Sequence, residues 1–381
     1  MPTRSSSRAS FAALTASVSL GIALFFSLYS LVPVTRSDAP ELGSLYVGVL
    51  MACVLGVQVF APMLVRRLSL RPVLSGAALL LGVGALLSAV SDAVPLMLAG
   101  AVAGGVGFGV LIVVGAQGVA LIVPPGRLGR SLGLYGAISV TSSALGSAGA
   151  LQLALTFGPL TFALGGAVAG IVSAALAMLL PGGIGARSFV GQQASDPRRL
   201  LRALTTGVPW MLLGLLLVGV VLLSFGLTAV PAIALPVSGA LIVLLVQSGN
   251  ALGRWLSAEA EERFGSAPTA LAGALLMAAG TMTAACSGTP AVIAVAAVGI
   301  GGGVGMVQTV SLHGAMRSMP AGRASVVWNL TFDSGLWVGG VAWGLVLAVD
   351  SIRWPALAVA ATAVLIGVIT ALRLRAPAGR H

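Results

Sequence analysis

Apolar runs of roughly twenty to thirty residues alternate with short polar stretches along almost the whole chain. Hydrocarbon leaves every backbone N–H and C=O to be satisfied internally, so a segment that crosses ~30 Å of it must be a helix of ~20 apolar residues or a strand of a closed barrel. The runs here are helical in length. Cut on that rule, the chain predicts twelve spans at 11–34, 43–65, 72–91, 95–123, 131–155, 159–180, 206–230, 236–257, 268–286, 290–314, 324–349 and 354–374. The stretch from Thr206 to Val246 is apolar almost throughout, and as one helix it would reach ~60 Å, twice the hydrocarbon thickness. A reversal near Pro231 and Pro236 is therefore required, and Thr156 to Pro159 separates the fifth span from the sixth. The expected fold class is an all-α polytopic membrane protein of about twelve helices in two six-helix bundles.

Composition agrees with the pattern. Of 381 residues, 58% are hydrophobic and 8% charged, too few to give a soluble core its polar skin. Arg4 and Arg8 precede the first apolar run in the manner of a secretory signal. That run is longer than a signal core of ~7–15 residues and lacks a small-x-small cleavage site, so it reads as a retained helix. Cys53 and Cys286 lie far apart inside apolar runs and read as small packing residues, with no disulfide expected.

A formal net charge of +11 would suggest nucleic acid in a soluble protein, so the positions of the basic residues matter. All twenty are arginine, and with the N-terminus inside, only Arg36 and Arg353 face outward. This positive-inside bias explains the charge by topology, removes the nucleic-acid reading and returns the C-terminus to the cytoplasm of a multi-pass inner-membrane protein. The longest polar segment, Pro181 to Thr205, falls mid-chain and divides residues 1–180 from 206–381 as a cytoplasmic linker between two bundles. The halves repeat weakly. Pro95 and Pro290 open the fourth and tenth spans 195 residues apart, each followed by a glycine-dense patch and then by a cytoplasmic turn, Pro124–Arg127 or Pro320–Arg323.

Six plus six spans, a basic central loop and a repeated turn resemble the major facilitator superfamily over essentially the whole chain. That family carries a Gly-x-x-x-Asp-Arg-x-Gly-Arg-Arg motif between its second and third helices. Here Arg66 stands at the acid and Ser69 at the glycine, while Arg67 and Arg71 are retained. The counterpart in the second half is better kept, as Glu262, Arg263, Phe264 and Gly265, with Glu259 and Glu261 beside it. The most specific local match runs from Pro124 and Pro125 through Gly126, Arg127, Gly129 and Arg130 to Gly136. The resemblance implies a conformational latch in which Glu262, next to Arg263, meets Arg127 or Arg130 at the start of the fifth helix, where the positive helix terminus favours an acid. The alternative is a solvated loop charge. A fourth-span arginine common in proton-coupled members is absent, with Gly100 and Ala101 at the expected places, and Gly146 is followed by Ser147 instead of proline.

Ionisable groups at membrane depth are costly and mark function by default. Eight of the nine acidic residues fall in loops or at their edges; Asp333 lies ~15 Å into the eleventh span. Asn329, Asp333 and Trp337 recur every four residues and share a face. With Trp328, Phe332 and Gly335 they resemble an aromatic-Asp-x-Gly pattern of efflux permeases in the same superfamily. Asp333 is either a proton-exchanging carboxylate or a structural acid bonded to a neighbouring helix. Gln247, Gln308 and His313 are further candidates for a substrate or proton path, with helix-to-helix hydrogen bonding or capping as the plainer role.

Enzyme chemistry finds no support: two histidines, at 313 and 381, offer no metal cluster, and a chain without lysine has no phosphate loop of the usual type. No cofactor is expected. The reading is a secondary transporter that exports a small organic metabolite or drug by alternating access, coupled to protons, with the lipid bilayer as its surroundings. The resemblance implies a monomer. An uptake permease of the same fold and a non-transporting membrane sensor or structural relative remain the alternatives.

Overall fold

The structure is a computed structural model that describes residues 4–36, 38–58, 60–90, 93–124, 128–185, 209–233, 238–319, 321–348 and 352–375. In chain order the helices are α1 (Arg4–Thr35), α2 (Pro40–Gln58), α3 (Ala61–Leu68), α4 (Leu70–Ala89), α5 (Val94–Ile122), α6 (Leu128–Phe157) and α7 (Pro159–Met178). The second set is α8 (Trp210–Ser224), α9 (Gly239–Phe264), α10 (Ser266–Cys286), α11 (Pro290–Ser318), α12 (Ala321–Ala348) and α13 (Arg353–Arg375). No strand occurs among the described residues.

Eleven helices are long and apolar enough to cross a membrane. The two exceptions are α3, with only eight residues, and α9, whose 26 residues suffice in length but whose apolar run is interrupted by Gln247, Asn250 and Arg254. Two spans differ from expectation by a break or a continuation through a π turn, and the eighth, expected to end at 257, runs on to Phe264. The second breaks after Gln58, and Pro62, which removes a backbone donor, opens the short α3. The seventh does not stop at residue 230: α8 passes through a π turn, Phe225–Ala229, into a last turn, Val230–Ile233, that contains Pro231.

The chain divides into two compact units, 1–35 with 45–192 and 36–44 with 193–381. In the first, α4 packs on α5 and α7, and α1 on α5, α6 and α7. In the second, α11 packs on α9 and α10, α10 on α13, and α8 on α11, α12 and α13. Most of the predicted linker, residues 186–205, lies outside the described residues. Its start is hooked back onto the first unit, where Leu70 N–H donates to the Ile184 carbonyl at 2.8 Å.

The weak sequence repeat is tight in three dimensions. A methyl group on Gly105 would overlap the Leu50 carbonyl, and one on Gly109 would lie 2.7 Å from the Val54 carbonyl. In the second unit Gly301 meets the Val246 carbonyl and Gly305 the Asn250 carbonyl in the same way. Every member of the second set lies 196 residues after its partner in the first. Only glycine permits such approach, and the backbones of α2 with α5 and of α9 with α11 are in contact because of it. The register extends to the loops: Ser69 (φ 73°) and Gly265 (φ 86°), also 196 apart, both turn the chain with positive φ.

Candidate functional site

Two faces of α12 do different things. Gly335 approaches Val220 and the Leu217 carbonyl, Gly339 approaches Ser224, and Trp343 Nε1 donates to the Val221 carbonyl at 2.8 Å while its ring lies 4.8 Å from that of Phe225. This face docks on α8 at the entrance to the π turn. Nearer the start of α12, Trp328 stacks on Phe332 and donates from Nε1 to Ser311 Oγ on α11 at 3.1 Å. Roughly 120° around the helix from Gly339 lies the Asn329, Asp333 and Trp337 face. Asp333 is only 6% exposed, Asn329 is half-buried, and both have interaction partners. Trp337 is 39% exposed, so the three share a face without sharing an environment. Gln247 and Gln308 are both buried, on α9 and α11 respectively.

A second constellation gathers at the arginine-rich end of α9, α10 and α11. Glu261, four residues before the α10 cap at Gly265, accepts from Arg317 Nη2 and from Ser266 Oγ at 2.6 Å each on Oε1. Its Oε2 lies 2.8 Å from His313 Nδ1, and Arg317 also donates to Ser266 Oγ at 2.8 Å. The Glu261 side chain is 9% exposed. Burial alone would raise its pKa, but Ser266, His313 and Arg317 together outweigh burial and hold it below the ordinary value. A cavity of about 440 Å³ beside it is lined by Glu261, Glu262, His313, Met316 and Arg317.

Glu262 is exposed, and Arg263 pairs with Glu259 one turn back on its own helix. Glu261 is the acid that ties three helices together. Arg127 and the side chain of Arg130 lie outside the described residues. The contact made by His313 is Glu261, which makes it part of this clasp. Neighbouring acids are indistinguishable by type; helical phase separates them, since only residue 261 points across to positions 313 and 317.

A residue that the sequence reading set at the cytoplasmic edge lies deeper. Because α9 continues to Phe264, Arg254 sits ten residues, ~15 Å, inside the helix end. It is half-buried, and among the described residues its guanidinium makes no hydrogen bond or ion pair. One turn earlier on the same side, Asn250 is 4% exposed and its Nδ2 has no acceptor.

A family model described as the Major Facilitator Superfamily matches residues 10–340. Among solved structures, the chain is similar to the nucleoside transporter NupG at 12% identity and a TM-score of 0.74, covering 96% of this chain and 100% of that one. It is also similar to a peptide transporter of the POT type in complex with alafosfalin, at 12% identity and a TM-score of 0.75, covering 96% and 94%. A POT family transporter in complex with 5-aminolevulinic acid gives 13% identity and a TM-score of 0.75, with 95% of each chain covered. No curated protein sequence matches the chain.

Proposed function

This chain belongs to the major facilitator superfamily, a family of transporters and not of enzymes, and from that premise we propose that it exports a small organic metabolite or drug by alternating access coupled to protons. The observation that carries the coupling is Asp333. Among the described residues it is the acid at mid-membrane depth, about 18 Å from the start of α12, and it is 6% exposed. A carboxylate there is tolerated when protonated and is costly when ionised, so its charge state and its access to water are linked. A conformational change that opens the residue first to one side and then to the other converts that link into net proton movement. Asn329, one turn away, is placed to hold whichever form is present, and Gln247 and Gln308 supply further polar groups along the path.

The two faces of α12 fit this role. Its Gly335, Gly339 and Trp343 side is fixed on α8 beside a π turn, a feature that concentrates at functional sites. A shift of α8 at that turn would carry the Asp333 face with it. The nucleosides and peptides named for structurally similar transporters set the first solutes to try. The arginine distribution supports both termini in the cytoplasm and an inner-membrane location.

In inverted or right-side-out vesicles, Asp333→Asn is expected to lower gradient-driven solute flux at least about tenfold and to flatten its pH dependence, while solute exchange without a proton gradient persists. Gradient-driven flux that is unchanged in the variant would remove Asp333 as the coupling group. Solute accumulation driven by an acid vesicle interior identifies proton antiport and hence export, whereas accumulation driven by an acid exterior identifies symport and hence uptake.

A further inference from the structure

We infer that Asn250 and Arg254 bind the anionic group of the transported solute, a carboxylate or a phosphate, with Gln308 as a third donor on the facing helix. The inference rests on the transport reading above and adds the chemical class of the solute.

Two donors four residues apart on one face of α9 lack acceptors: the Asn250 amide, 4% exposed, and the Arg254 guanidinium, which no residue among those described engages. A buried donor without an acceptor is destabilising, and a guanidinium at membrane depth more so. The acids on the same helix are spoken for or lie beyond reach. Glu261 is held by His313, Arg317 and Ser266, Glu259 pairs with Arg263, and Glu262 is exposed beyond the next two turns. Among the described residues of this helix no acid complements these donors, and a planar fork beside an amide matches an oxyanion with two or more oxygens.

The internal repeat argues against packing as the reason for Asn250. Asn250 corresponds to Val54 and Arg254 to Gln58, 196 residues earlier, and the backbone contact at Val54 with Gly109 is the contact at Asn250 with Gly305. Val54 is fully buried, so the scaffold accepts an apolar side chain there. The second unit has an amide and a cation where the first has an isopropyl group and a neutral amide. Gly301, Gly305 and Gln308 follow at three- and four-residue spacing on α11 and share the face that lies on α9. The Gln308 side chain, 2% exposed, is thus carried to the same seam.

The test uses purified full-length protein in neutral detergent, with sodium phosphate, succinate and glutamate each compared with sodium chloride at matched ionic strength. At tenfold its dissociation constant, at least one of these anions is expected to raise the unfolding temperature of the wild type by about 2 °C. Arg254→Lys keeps part of the shift. Arg254→Gln and Asn250→Val, which copy the first unit and so suit the scaffold, lose it. A wild type that responds to none of the three, or a shift that survives both substitutions, overturns the inference. A phospholipid headgroup offers the same chemistry; stabilisation by phosphatidylglycerol over phosphatidylcholine in nanodiscs, with no response to the soluble anions, assigns the donors to lipid and overturns the solute reading. Flux in vesicles is read separately. Flux without anion binding refutes this inference alone, whereas anion binding without flux refutes the transport reading alone.

Discussion

Ser69, at φ 73° and ψ 166°, holds a backbone conformation that is nearly closed to any residue with a Cβ. Its counterpart in the other unit, Gly265 at φ 86° and ψ 170°, adopts the same conformation without strain. The chain turns from α3 into α4 there, and the strain of about 1–3 kcal/mol is carried by the packing on either side. Glycine would remove it at some cost in unfolded-chain entropy. Ser69→Gly is therefore expected to stabilise the protein by about 1 kcal/mol, seen as a rise of roughly 1 °C in the unfolding temperature of the detergent-purified protein. No rise would mean that Ser69 is not strained. The motif comparison had already marked Ser69 as standing where a glycine belongs, so this feature was legible as a pattern before its geometry gave it a cause. Arg254 was not. Hydropathy closes its span at residue 257, and whether a helix continues past its apolar part depends on packing, which for α9 runs on to the Glu261 clasp.

At the scale of elements, the same corner of each unit is fastened in two ways. In the first, Val65 and Leu121 close on Gly185 at the start of the inter-unit segment. The residues 196 later are Glu261 and Arg317, and there an ion pair with His313 and Ser266 replaces the apolar contact. An ionic clasp responds to pH where an apolar one does not. The lowered pKa of Glu261 means that its stabilisation is fully present above the ordinary carboxylate value of 4.5 and is lost as pH falls through the lower folded value. Glu261→Gln is accordingly expected to cost about 1–2 kcal/mol at neutral pH, in keeping with partly exposed partners, and to match the wild type in strongly acidic buffer. A gap in unfolding temperature that stays constant from pH 7 to acid would show that the carboxylate's charge is not what holds the corner. Other element-level features were illegible for a physical reason. The π turn in α8 lies in a run so uniformly apolar that one extra residue per turn leaves no mark on its periodicity. The break between α2 and α3 needed Pro62 to be weighed as a helix start.

For the molecule as a whole, the twelve-helix plan could be read from the chain because lipid imposes one rule on every span, and eleven helices obey it by composition alone. Orientation is testable with what the chain already contains. Cys286 is exposed at the end of α10, which the proposed topology puts outside. A membrane-impermeant maleimide is expected to label Cys286 in intact cells and to leave the Cys286→Ser variant unlabelled; labelling that needs permeabilised cells would reverse the assigned topology.

The glycine contacts that recur at a spacing of 196 also restrict what can be done to the chain. Between Leu50 and Gly109, and again between Val246 and Gly305, one inserted residue within a helix would turn everything after it by ~100° and swing a side chain into a carbonyl oxygen. Helix register in these two stretches is thereby frozen while side-chain chemistry stays open, which makes them interchangeable cassettes: the proposed polar path could be written into the first unit, or erased from the second, by substitution alone.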